Sequence, residues 1–212
     1  MNLPNKLTIF RIVLVPLLCL VWLFPYDQFG IVLGSITIGH ISVSYLNIIV
    51  LVIFAIASFT DFLDGYLARK NDLVTTFGKF ADPIADKLLV NTMLIILTYK
   101  HAIPVIPCVI MICRDIIVDG CRMSAAQHGV VVSAGILGKL KTVLQMFTII
   151  FTLLNNLPFE LFSLPISQIM IWFTAFVSAA GGYSYLMQVK EYIFESGEQL
   201  IISNIYFFNN NL

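Results

Sequence analysis

Residues 61–86 read DFLDGYLARKNDLVTTFGKFADPIAD and carry the spacing Asp61-x2-Asp64-Gly65-x2-Ala68-Arg69-x8-Gly78-x3-Asp82-x3-Asp86. The flanking sequence is among the most apolar in the chain. An ionised aspartate beside hydrocarbon is expensive and is rarely left there without compensating charge. The spacing also says how these carboxylates can meet. Asp61 and Asp64 stand i,i+3 on one helix; Asp82 and Asp86 stand i,i+4 on the next, with Gly78 one turn back on the same face. Two helices joined by a short turn bring the pairs face to face, and carboxylates that must stay ionised together ask for divalent cations.

The whole chain of 212 residues is 59% hydrophobic and only 11% charged. Soluble domains carry about 25% charged residues, so the composition predicts an all-α polytopic membrane protein. Net charge is zero, and no nucleic-acid partner is expected. Cys19, Cys108, Cys113 and Cys121 lie in or beside apolar runs without CxxC spacing, so they read as small buried hydrophobes rather than a metal knuckle or a disulfide framework. The run from Leu7 to Phe24 follows Lys6 but has no small-x-small cleavage site and is interrupted by Arg11 and Pro16. It reads as a retained first transmembrane helix.

Stretches of about 18 apolar residues or more predict spans: six, at 7–25, 44–66, 80–99, 103–123, 136–155 and 166–189. Residues 26–43 are expected as an external loop or a short interfacial element. Basic residues set the orientation. Lys6 and Arg11 open span one, and Arg69, Lys70 and Lys79 fill the turn after span two. Arg122, Lys139 and Lys141 flank the turn after span four, and Lys190 follows span six. The connections at 26–43 and 156–165 hold no Lys or Arg, and the remaining outer one has only Lys100. Both termini are therefore expected in the cytoplasm, and the carboxylates lie about two to three turns from that face. The expected organisation is a single membrane domain over 1–190, followed by a tail over 191–212, a surface helix or a frayed end to which no role is assigned.

Each residue type in the opening stretch has a job available. Hard cations such as Mg2+ and Mn2+ prefer carboxylate oxygens, and two of them can clamp a diphosphate. Gly65 and Gly78 remove side chains where a ligand or a neighbouring helix comes close, and Ala68 does so at less cost to the helix. Arg69 can neutralise carboxylate or phosphate. The alternative, interhelical salt bridges such as Asp61 with Arg69 or Asp86 with Lys79, leaves carboxylates outnumbering the nearby bases.

The spacing resembles the signature of the CDP-alcohol phosphatidyltransferases, with every fixed position filled. The resemblance implies a six-helix membrane enzyme, commonly a homodimer, that transfers a phosphatidyl or related group from a CDP-linked donor to an alcohol and releases CMP. It further implies that Asp61, Asp64, Asp82 and Asp86 bind two divalent cations, Mg2+ or Mn2+, with Asp86 as general base. Gly65, Ala68, Arg69 and Gly78 would then shape the CDP-donor subsite.

Three segments bear on the acceptor. Asn2-Leu3-Pro4-Asn5-Lys6-Leu7-Thr8-Ile9-Phe10-Arg11 resembles the opening of the phosphatidylglycerophosphate synthase branch, in which Lys6 and Arg11 suit either an interfacial anchor facing anionic headgroups or a substrate contact. Arg114-Asp115 falls inside span four, with Arg122 eight residues on. Arg114 pairs with an aspartate or binds acceptor phosphate. Gly138-Lys139-Leu140-Lys141-Thr142 opens span five, where a helix N-terminus and two lysines suit a phosphate. With Gly120-Cys121-Arg122 this resembles the same branch, whose donor and acceptor are CDP-diacylglycerol and sn-glycerol 3-phosphate. Arg122, Lys139, Lys141 and, less directly, Arg114 are then the acceptor-phosphate residues. One departure stands out: that branch usually has Glu where this chain has Asp115. Arg114-Asp115 and Trp172-Phe173-Thr174-Ala175-Phe176 are closer to the cardiolipin synthases, which use phosphatidylglycerol as acceptor, and Asp119 is an unusual neighbour for an anion pocket. From another class, a cation transporter would need polar residues through the midplane, whereas here they gather near one face. His40, His101 and His128 do not cluster and are not read as ligands.

Overall fold

The computed structural model describes residues 2–70, 76–127 and 135–209; the side chains of Asp64, Ala68 and Arg69, among others, and of every residue after 190 lie outside the description. Among the described residues there are six long helices: α1 (Leu3–Leu23), α2 (Tyr45–Lys70), α3 (Thr76–Tyr99), α4 (Val105–Gln127), α5 (Ile136–Leu153) and α6 (Ile166–Asn209). A hairpin of β1 (Ser35–Ile38) and β2 (Ile41–Ser44) precedes α2. Three helical segments are long and apolar enough to cross a membrane: Asn5–Leu23, Ile136–Leu153 and Ile166–Lys190. Charged residues interrupt the others. Asp61 closes the apolar run Tyr45–Asp61 of α2, Asp82, Asp86 and Lys87 break α3, and Arg114, Asp115, Asp119 and Arg122 break α4.

The chain divides into two compact units, residues 1–105 with 145–171 and residues 106–144 with 172–212. In the first, α1 packs against α2 and α3. The reason lies in a stripe along α1 in which Thr8, Arg11, Val15, Leu18 and Trp22, spaced alternately three and four apart, are all buried. Its other side exposes Ile9, Phe10, Val13, Leu17, Leu20 and Leu23, a face suited to lipid rather than water. Residues 26–43 hold a turn of 3-10 helix and most of the hairpin. Ile38 pairs with Ile41 across the two-residue loop Gly39-His40, and Gly39 takes φ 64° there. Asn155 Nδ2 donates to Ser42 O at 2.7 Å, and Asn47 Nδ2 to Leu153 O at 3.2 Å, tying the hairpin end of α2 to the end of α5. Asp61 then lies about 24 Å along α2 from that end, at 1.5 Å per residue.

In the second unit, α4 meets α6 through Val118, Ala125, Tyr185 and Val189, with Cys121 packed against them. Gly181 and Gly182 of α6 lie against Arg114 of α4. A Cβ on Gly182 would stand 2.8 Å from Arg114 Cγ, and one on Gly181 would stand 3.1 Å from Leu137 Cβ. These glycines make room for a long cationic side chain inside a helical packing. The four cysteines are free thiols, but only Cys108 is buried as expected; Cys19 and Cys121 are partly exposed and Cys113 is exposed.

Candidate active site

The last turns of α2 carry Asp61, Asp64 and Gly65, and the first turns of α3 carry Gly78, Asp82 and Asp86. Both helices are met by α1. Arg11 Nη1 donates to Asp61 Oδ1 at 2.6 Å, and Thr8 Oγ1 donates to Asp82 Oδ1 at 2.5 Å. Thr8 and Arg11 are three residues apart, neighbours on one helical face, so Asp61 and Asp82 converge on a single turn of α1 although they come from different helices. Asp61, Asp82 and Asp86 are half-exposed and Gly78 is buried. Asp86, Gly65 and Gly78 make further interactions of their own.

One expectation changes here. Arg11 is completely buried, so it is not an anchor facing headgroups, whereas Lys6 is exposed and retains that possibility. Asp61 is held by Arg11, 50 positions away; the alternative pairing with Arg69 falls on a side chain outside the description. Thr8 and Arg11 are the residues that reading from the aspartates outward overlooks. Their signal was present: they are polar side chains on the stripe that continues as Val15, Leu18 and Trp22.

The donor set suits a hard divalent cation, because it consists of carboxylates held by a hydroxyl and a guanidinium rather than by thiols or imidazoles. Oδ2 of Asp61 and Oδ2 of Asp82 have no hydrogen-bond partner among the described residues. No group of three acidic, His or Cys side chains assembles among those residues. Asp61, Asp82 and Asp86 are all described and do not form such a group; the side chain of Asp64, one turn beyond Asp61, lies outside the description, as do those of Ala68 and Arg69.

The basic residues expected to hold acceptor phosphate all belong to the second unit. Asp115 organises two of them. Lys141 Nζ donates to its Oδ2 at 2.6 Å and Arg114 Nη1 to its Oδ1 at 3.1 Å. Of the two readings of Arg114, the structure realises the aspartate pairing, and the partner is its own neighbour. Both ion pairs converge on this one carboxylate. Lys139 and Arg122 are exposed, and the Arg122 guanidinium lies 5.8 Å from the centre of the Tyr185 ring, within cation–π range. Gly138-Lys139-Leu140-Lys141-Thr142 occupies the opening turns of α5, where Thr142 Oγ1 donates back to Gly138 O at 3.2 Å.

Comparison with known proteins places the chain in a family. The family model for CDP-alcohol phosphatidyltransferase matches residues 1–180, and the chain belongs to that family. Among its relatives, the CDP-diacylglycerol–glycerol-3-phosphate 3-phosphatidyltransferase of Bacillus subtilis is 42% identical over 184 residues, covering 87% of this chain and 93% of the relative. The protein of the same name from Rickettsia typhi is 39% identical over 192 residues, covering 90% of this chain and 98% of the relative. That from Mycoplasma genitalium is 40% identical over 154 residues, covering 71% of this chain and 64% of the relative. Members of the family generally depend on divalent metal. With its apolar helices, this membership makes the chain an integral membrane protein.

Proposed function

We propose that this protein transfers the phosphatidyl group of CDP-diacylglycerol to sn-glycerol 3-phosphate, giving phosphatidylglycerophosphate and CMP for phospholipid biosynthesis. The observation that carries the reading is the unbroken aspartate spacing on α2 and α3, in a chain whose relatives bear that activity in their names over nearly their whole length. None of the relatives named above is a cardiolipin synthase, the branch that Arg114-Asp115 resembles.

In this reading Asp61, Asp64, Asp82 and Asp86 hold Mg2+ or Mn2+, two ions in all. When bound, such cations supply charge that stabilises the diphosphate oxygens of the donor. Asp86 takes the proton from the acceptor hydroxyl, a step that typically contributes ~10²–10⁴-fold. The hydroxyl oxygen bonds to the phosphorus esterified to diacylglycerol, the bond from that phosphorus to the CMP oxygen breaks, and CMP leaves with the electron pair. Gly65, Ala68, Arg69 and Gly78 shape the donor subsite. Arg122, Lys139, Lys141 and Arg114 attract the acceptor phosphate through charge-assisted hydrogen bonds, and Asp115 fixes the places of Arg114 and Lys141.

The topology that suits this chemistry has six spans and both termini in the cytoplasm. The site then faces the cytoplasm from a bacterial plasma membrane, where soluble glycerol 3-phosphate is available, and the enzyme works as a homodimer. The test is CMP release by purified protein from CDP-diacylglycerol and metal, with glycerol 3-phosphate or phosphatidylglycerol as acceptor. Release that depends on glycerol 3-phosphate supports the reading. Release only with phosphatidylglycerol would replace it by the cardiolipin synthase reaction, and metal uptake into vesicles without CMP release would replace it by transport.

A further inference from the structure

Two contacts from α1 to carboxylates, those of Thr8 and Arg11, share a form. Each takes Oδ1 of an aspartate, each comes from a side chain with no exposed surface, and each leaves Oδ2 without a hydrogen-bond partner among the described residues. The ion pair is asymmetric: the Arg11 side chain is 0% exposed, whereas that of Asp61 is 37% exposed. Sealing both partners from water would strengthen their attraction at the cost of desolvating the carboxylate, and would also close the carboxylate to any ligand. Here the basic end is sealed and the acidic end is reachable. Asp82 repeats the pattern with a neutral donor, since the Thr8 hydroxyl is buried and the carboxylate half-exposed.

We propose that α1 is a positioning element of the active site, in which Thr8 and Arg11 each tether one oxygen of a metal-ligating aspartate and so aim the other at the cation. The proposal rests on the metal-binding reading of the aspartates. Thr8 and Arg11 touch neither substrate nor reacting atoms; they act through Asp82 and Asp61. Because the two tethers are neighbours on one helical face, they fix the spacing of ligands contributed by α2 and α3. Outer contacts of this kind govern metal affinity, typically by 10–100-fold on removal.

The test is Mn2+ binding, followed by the paramagnetic signal of free Mn2+, to full-length protein in lipid nanodiscs without substrate. Thr8→Val keeps the side-chain volume and removes the hydroxyl. It is expected to weaken Mn2+ binding by about 10-fold or more, while Thr8→Ser returns it to within about 2-fold of wild type. Turnover of Thr8→Val should recover toward the wild-type kcat as Mn2+ is raised, which a general loss of packing would not allow. Arg11→Lys keeps the charge but loses the guanidinium geometry and should fall between wild type and Arg11→Met. Thr8→Val that folds and binds Mn2+ like wild type overturns the positioning role, as does Thr8→Ser that binds no better than Thr8→Val. Asp82→Asn separates the two levels. If it too leaves Mn2+ binding unchanged, the metal reading of the aspartates falls, and the role of α1 falls with it.

Discussion

Asp115→Asn tests the charge arrangement of α4 and α5 without changing the shape of the side chain. The exposures of the three side chains are 5% for Asp115, 7% for Lys141 and 16% for Arg114, so the relevant energies are those of a buried cluster. Removing one partner of a buried ion pair costs about 3–5 kcal/mol, because the surviving charge is left without compensation. Asp115→Asn removes the carboxylate that both cations contact and belongs at that level. Lys141→Met leaves Asp115 with Arg114 and should cost less, about 1–3 kcal/mol, as for a hydrogen bond to a charged group. The double variant removes both members of the Lys141–Asp115 pair and should cost less than the sum, with a coupling of about 0.5–3 kcal/mol. At about 2–4 °C per kcal/mol for a chain of this size, the midpoint of thermal unfolding in mild detergent should fall by roughly 10 °C for Asp115→Asn and roughly 5 °C for Lys141→Met. Lys141→Met falling as far as Asp115→Asn, or the two losses adding fully, would refute the idea that one carboxylate holds both cations.

Asp86→Asn should lower kcat by about 10²–10⁴-fold while leaving the KM for CDP-diacylglycerol near wild type, measured as CMP release; retained turnover would remove the general-base role. Arg122→Ala and Lys139→Ala should each raise the KM for glycerol 3-phosphate, by roughly 10-fold if each supplies one charge-assisted contact, and leave the donor KM unchanged. Gly182→Ala places a methyl group 2.8 Å from Arg114 Cγ and should destabilise by about 1–3 kcal/mol. Gly120→Ala on α4, with nothing within 4 Å of the new carbon, should be neutral or stabilising by up to about 1 kcal/mol; equal unfolding midpoints for the two would contradict the packing around Arg114. EDTA should abolish CMP release, with recovery on adding Mg2+ or Mn2+.

The helices were legible from their apolar runs, although charged residues interrupt α2, α3 and α4. The expected spans 44–66 and 136–155 correspond to α2 at Tyr45–Lys70 and α5 at Ile136–Leu153. The hairpin was harder to see, since Ile36, Ile38, Ile41 and Val43 alternate over too few residues to stand out in a chain this apolar. The Gly39-His40 turn between them is the clearest local sign. The end of α6 was also hidden, because Lys190 marks where a membrane stretch stops and says nothing of where a helix does. At the site, the aspartates announced themselves by their cost in hydrocarbon. Thr8 and Arg11 did not, because a basic residue near the start of a first span has an ordinary explanation as an anchor. Only packing could show that Arg11 points inward at Asp61. Similarly, Asp115 looked like a departure from a branch pattern, and the structure gives it a task as the common partner of Arg114 and Lys141.

The central claim is tested most directly by supplying purified protein with CDP-diacylglycerol, Mg2+ and glycerol 3-phosphate labelled in its carbon skeleton, and following label into the lipid phase together with CMP. The account predicts one labelled phosphatidylglycerophosphate per CMP released, with neither product formed when glycerol 3-phosphate is omitted. CMP released without label entering lipid, or release supported by phosphatidylglycerol and not by glycerol 3-phosphate, would contradict it.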